Sequence, residues 1–139
     1  MTNILGAIGT AIYGKLTAGT ALTNLLAGTA SVYNSLAPRG VSMPYVIFQY
    51  QGGGDENLCA TRLRNIVYTV KAVSSTGALQ AANIDAQVDA LLHNATLTVT
   101  GFSNFWCARE GDIDYVETDP DAGNVWHAGG TYRIRLAET

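Results

Sequence analysis

Apolar side chains recur at a four-residue interval near the start of the chain, at Ile4, Ile8, Ile12 and Leu16, with Leu5 and Ala11 widening the stripe. That period predicts a helix over residues 3 to 18 with one face laid on something apolar. Gly6, Gly9 and Gly14 lie inside it, and each costs about 1 kcal/mol against alanine. Packing, rather than propensity, must hold this segment. A shorter helix follows, capped by Thr20, carrying Leu22, Leu25 and Leu26 and stopped at Gly28. The two together take up residues 3–27. Ser31 to Asn34 reads as a short edge strand, and Ala37-Pro38-Arg39-Gly40 as a loop punctuated by proline and glycine.

The period then changes from about four to two. Residues 44–50, rich in aromatic and β-branched types after Pro44, read as a strand covered on both faces. Gly52, Gly53 and Gly54 are expected to leave the sheet as a flexible loop. Residues 63–73 alternate cleanly, with Ile66, Tyr68, Val70 and Ala72 on one face and Val67, Thr69, Lys71 and Val73 on the other. Ser74, Ser75 and Thr76 supply capping hydroxyls for a helix over residues 76–92, whose apolar face carries Ala81, Ile84, Val88, Leu91 and Leu92. Strand character returns at 96–99, 102–109, 113–117 and 125–136, where Tyr132, Ile134 and Leu136 alternate with Arg133 and Arg135. Helices, strands, helix, strands is not a βαβ alternation. The pattern predicts one α+β domain over residues 1–139, a mainly antiparallel β-sheet with helices packed on one face, and no doubly wound crevice for a nucleotide.

Composition narrows the functional classes. With 47% apolar and 14% charged residues, the chain folds rather than staying disordered. A net charge of −3 argues against a basic nucleic-acid binder or a surface held on anionic lipid. No stretch is long and apolar enough to suggest a bilayer span, and the N-terminus carries no basic leader. Cys59 and Cys107 stand far apart without a C-x-x-C pair, which suits a reducing cytoplasmic origin.

Motifs for chemistry are sparse. The triple glycine is followed by no Gly-Lys-Ser/Thr, so a phosphate loop is a poor reading. His93 and His127 with Cys59 and Cys107 have a zinc inventory without the local spacing of a zinc site. No Gly-x-Ser-x-Gly turn is present, so neither catalytic nor metal nor cofactor residues are assigned and an enzyme is not expected. The main charge feature is acidic: Glu110, Asp112, Asp114, Glu117, Asp119 and Asp121 crowd one short segment. Proline and glycine in Asp119-Pro120-Asp121-Ala122-Gly123 are misplaced for a calcium loop. A solvated strand edge and hairpin is the first reading, and a subunit contact or channel lining the second. The pairs Arg62 with Arg64 and Arg133 with Arg135 are spaced to project from one face of their strands, toward solvent or toward an acidic segment of a neighbouring subunit.

The order of these elements carries a resemblance. The two N-terminal helices, Val32-Tyr33, Leu36-Ala37-Pro38, Met43-Pro44-Tyr45-Val46-Ile47-Phe48, the strand from Asn65 to Val73, the small-residue-rich helix to Leu92 and the closing Tyr132-Arg133-Ile134-Arg135-Leu136 resemble, over nearly the whole chain, the tail completion or tail terminator proteins of long-tailed bacteriophages. The region from Glu110 to Gly130 departs from that family in its acids and glycines. The resemblance implies a structural virion protein made in the host cytoplasm. Its copies form a ring, usually of six, on the head-proximal end of the tail tube, stop tube growth and join the head connector. It implies as partners the chain itself, the tube protein and the connector or stopper protein, with DNA passing through the bore unbound and no membrane or cofactor involved. Glu110, Asp112 and Asp114 are then candidates to line the bore or meet Arg62, Arg64, Arg133 or Arg135 of a neighbour. A stopper, a tube subunit or a non-viral cytosolic adaptor are the alternatives.

Overall fold

Six strands form one sheet in the order β1-β2-β3-β6-β5-β4 in the computed structural model, which describes residues 3–121 and 123–139. The strands are β1 (Val32–Asn34), β2 (Tyr45–Glu56), β3 (Leu63–Ser74), β4 (Thr98–Val99), β5 (Phe102–Asp119) and β6 (Gly123–Glu138). Only β1 with β2 is parallel; every other pair is antiparallel. Helices α1 (Ile4–Thr17), α2 (Thr20–Thr23) and α3 (Ala78–Leu92) complete a single α+β domain, as the pattern predicts. Ala122, part of the segment weighed as a calcium loop, lies outside the described residues.

The core lies between the helices and one face of the sheet. Ile8, Ile12 and Leu16 of α1 and Ala81, Ile84, Val88 and Leu92 of α3 are buried with Val46, Phe48, Ile66, Tyr68, Val70, Tyr132, Ile134 and Leu136. Each such aliphatic side chain contributes about 1.5–3 kcal/mol on burial, which offsets the glycines of α1. Asn3 closes the helix start, its Oδ1 accepting from the amides of Leu5 and Gly6 at 3.0 and 3.3 Å. Ser74 serves the approach to α3, its hydroxyl oxygen accepting from the amides of Thr76 and Gly77.

Several local expectations need correction. Thr20 is no cap: it lies inside a four-residue α2 whose N-cap is Gly19, and Leu25 and Leu26 fall beyond that helix. β4 keeps only Thr98 and Val99 of the strand expected from residue 96. The separate strands 102–109 and 113–117 are one eighteen-residue strand, β5, with a register shift between Arg109 and Gly111. The charged, glycine-containing break in the pattern is a bulge, where an extra residue interrupts the ladder without ending it.

Gly52, Gly53 and Gly54 do not leave the sheet. They pair with Val67, Ile66 and Asn65 after a register shift at Gln51. Gly53 has φ +134, and a Cβ there would overlap the Asn65 carbonyl oxygen and sit 2.6 Å from the Ile66 Cα. Glycine is needed here because β2 runs against β3 in a conformation closed to other residues.

Candidate assembly interface

The sheet face turned away from the helices carries charges that are joined across four strands. Arg133 of β6 donates from Nε to both carboxylate oxygens of Glu110 of β5 at 2.8 Å, and from Nη1 to Asn65 Oδ1 of β3 at 2.7 Å. Asn65 donates through Nδ2 to Glu56 of β2, whose other oxygen accepts from Arg135 Nη2 at 2.7 Å. The alternation along β6 that buries Tyr132, Ile134 and Leu136 also sends both arginines to this face. Hydrogen bonding from Arg135, with Asn65 adding to it, holds the Glu56 carboxyl below the usual carboxylate range. At the end of the β2–β3 hairpin, Asp55 receives Arg62 Nε at 3.1 Å and Arg64 Nη1 at 2.9 Å. Its carboxyl is lowered first by the Arg62 hydrogen bond and then by Arg64.

A second cluster ties α3 to the sheet on the opposite face. Arg109 makes a two-pronged pair with Asp85, at 2.8 and 2.9 Å, and donates to the Gly129 carbonyl at 2.7 Å, to the Tyr132 hydroxyl at 3.3 Å and to Asp112 at 2.9 Å. The Tyr132 hydroxyl donates to Asp89 at 3.0 Å. The Asp85 bonds raise the guanidinium pKa further above its already high ordinary value, so Arg109 is charged at any pH of interest. Burial raises the Tyr132 phenol as well. Neighbouring Cys107 is buried, and burial pushes its thiol up to about 11. Such a thiol is a poor nucleophile.

The half of β5 beyond Arg109 differs in kind. Tyr115 and Val116 are exposed there, as Phe105 and Trp106 are before Arg109, and Asp112 projects with 86% of its side chain in solvent despite its bond to Arg109. Tyr115 stacks on His127 at 4.4 Å, and Lys71 donates to the Tyr115 hydroxyl at 2.7 Å. His127 Nε2 lies 2.7 Å from Glu117 Oε1. Burial lowers the His127 pKa, with Glu117 opposing it.

The structure therefore brings together, within one chain, residues that the sequence offers as candidates for contacts between chains. Glu110 holds Arg133, Asp55 holds Arg62 and Arg64, and Glu56 holds Arg135. Asp112 meets Arg109. Asp114 takes part in no ion pair among the described residues. The sequence places Tyr132 on the inward face of its strand, but its pattern alone singles out none of Arg109, Asp85 and Asp89 as a site. The available signal was the i, i+4 spacing of Asp85 and Asp89 on α3. No group of His, Cys, Asp and Glu able to hold a metal is found among the described residues, and no helix among them is long and apolar enough to cross a membrane.

Comparison with known proteins adds two findings. The family model described as Tail completion protein gp17 matches residues 10–136. A chain of the solved structure titled "Virion of native gene transfer agent (GTA) particle" has the same fold at a TM-score of 0.73 and 18% identity, with 99% of each chain covered. No curated protein sequence matches this chain.

Proposed function

Because the chain belongs to the tail completion protein gp17 family, and so is a structural protein of a virion tail, we propose that it forms a ring at the head-proximal end of the tail tube. The ring ends tube polymerisation and offers its other side to the head connector or stopper. The family match across residues 10–136 carries this reading. Six copies are proposed, with the tube protein and the connector as neighbours and DNA passing through the bore without specific binding. Particles assembled without this protein test the role: overlong, headless tubes support it, whereas normal tails on leaking heads assign it to a stopper.

The charged residues take their parts within that reading. Arg62, Arg64, Arg133 and Arg135 are engaged by acids of their own chain, so meeting a neighbour's acids requires exchanging one pair for another. Glu110 and Asp112 are under the same constraint. Asp114, joined by the other acids of the hairpin, is the better candidate for the bore, where negative charge repels phosphate and lets DNA slide. Reversing Asp112 and Asp114 to lysine impairs ring assembly or DNA passage under this reading; full particle yield with both reversals removes it.

A further inference from the structure

Both outer long strands of the sheet are covered along only part of their length, and the covered parts lie at opposite ends. On β2, β1 pairs with Val46, Ile47 and Phe48, and the Ser35 amide takes the Phe48 carbonyl at 2.8 Å. On β5, β4 pairs with Phe102 and Ser103, the Asn94 amide takes the Cys107 carbonyl at 2.7 Å, and the Arg109 amide donates to His93 Nδ1 at 3.1 Å. Among the described residues, no strand covers the outer side of Gln49–Glu56 of β2 or of Glu110–Asp119 of β5. Exposed edges of this length are a template for another strand.

The ladder fixes which main-chain groups are available. Residues of an antiparallel pair alternate between bonding their partner and turning away from it. With Phe48 and Arg109 bonded outward, the registers β2–β3, β3–β6 and β6–β5 agree: Tyr68 and Tyr132 bond each other. Past the Glu110 bulge, Gly111 faces Thr131 in the ladder. Asp112, Asp114, Val116 and Thr118 then turn amide and carbonyl outward. On β2, past the Gln51 shift, Gly53 and Asp55 do the same.

Direction and charge choose the partner. Three antiparallel steps separate β2 from β5, so the two run oppositely and a continued sheet pairs them antiparallel. Two β5 edges facing each other would set Glu110, Asp112, Asp114, Glu117 and Asp119 against the same acids, which is unfavourable. The β2 edge from Gln49 to Gly54 carries no charge, and Asp55 and Glu56 beyond it are already held by arginines. We propose that the open half of β5, Glu110–Asp119, adds antiparallel to the open half of β2, Gln49–Glu56, of a second copy of this chain. This rests on the ring reading above and names the seam that closes the ring. The contact is heterologous, as a cyclic assembly requires. The two open halves are offset by about six residues, roughly 20 Å along the strands, so the strands tilt relative to the ring axis.

Two measurements on the full chain test the seam. Asp114→Pro removes one outward amide and no ladder bond, a place where an edge strand tolerates proline; Asp114→Asn removes the charge and keeps the amide. By native mass and by capping of tube ends, Asp114→Pro weakens assembly at least about tenfold with an unchanged far-ultraviolet circular dichroism spectrum, whereas Asp114→Asn assembles within about twofold of the wild type. Equal assembly of the proline variant overturns the proposal. Hydrogen exchange on the wild-type chain decides independently of how that variant folds. On passing from monomer to assembled form, amides in both 49–56 and 110–119 slow at least about tenfold. Slowing of β5 alone, or of neither edge in an assembled ring, overturns the seam while leaving the ring reading standing. A wild-type chain that stays monomeric even with tube ends present overturns the ring reading itself.

Discussion

The two halves of β5 make opposite uses of one strand. From Phe102 to Arg109 the strand has its outer edge covered and is enclosed on the helix side, although Phe105 and Trp106 turn to solvent: Cys107 is buried opposite Ile134, Asn104 bonds the Leu97 amide and the Arg135 carbonyl, and Arg109 is gripped by Asp85. From Glu110 to Asp119 the same strand is bonded to β6 on one side and open on the other, with Val116 and Tyr115 in solvent. The bulge at Glu110 divides them. Residues in the first half hold the monomer together; those in the second form one side of the proposed seam. Substitutions should therefore separate stability from assembly at that bulge.

The largest loss of stability is expected in the enclosed half. Ile134 is 1% exposed and faces Cys107 across the ladder. Ile134→Ala removes buried methyl groups and leaves a cavity, at a cost of about 3 kcal/mol. Urea unfolding should show a lower midpoint at an unchanged slope. Arg109→Ala comes next. It strands Asp85 on α3 with no cation and takes one donor from the Tyr132 hydroxyl, which keeps its bond to Asp89. Both side chains of the Arg109–Asp85 pair are mostly, though not fully, out of water, so the cost is about 2 kcal/mol, below the figure for a fully buried pair. A loss from Arg109→Ala no greater than from an exposed substitution would erase the distinction between the halves.

Cys107 gives the enclosed half a pH signature. In the folded chain its thiol is raised from an ordinary value of 9.0 to about 11, so the unfolded chain loses this proton first. Stability from this group is complete below pH 9 and declines as pH rises toward 11. By pH 10 the decline is about 1.4 kcal/mol. Above that, Tyr45, Tyr68 and Tyr132, each raised by burial from 10.0, add to it. Chemical denaturation at pH 8, 9 and 10 checks the sign, and Cys107→Ala should flatten the curve between 9 and 10.

Much of this was legible where a local rule and the tertiary structure agree. The four-residue spacing of Ile8, Ile12 and Leu16, the alternation from Ile66 to Ala72 and the apolar face of α3 each report burial directly, and all are in the core. Legibility failed where long-range pairing overrode local preference. Three successive glycines read as a loop by conformational freedom alone, yet β3 captures them because Gly53 alone fits against Asn65 and Ile66. The charged interruption around Gly111 read as a gap between strands, because an extra residue shifts the alternation without ending the ladder. The Arg109 cluster joins residues 24 positions apart, and no window along the sequence brings them together. Arg133 and Arg135 were read to one face correctly by period, but only the fold supplies Glu110 and Glu56 opposite them.

The smallest effect is expected at the bulge residue itself, Glu110. Its pair with Arg133 is two-pronged at 2.8 Å, geometry that would be worth a good deal away from water. Here 44% of the Glu110 side chain and 34% of Arg133 are exposed, so water screens the attraction and ordering two long side chains offsets much of it. Arg133 also retains Asn65 at 2.7 Å when Glu110 is neutralised. Glu110→Gln should therefore change unfolding free energy by under about 0.5 kcal/mol, and 1 M salt should shrink even that difference. A loss of 2 kcal/mol would mean that the enclosed, stability-bearing part of β5 runs past the bulge, and the division would move toward Tyr115.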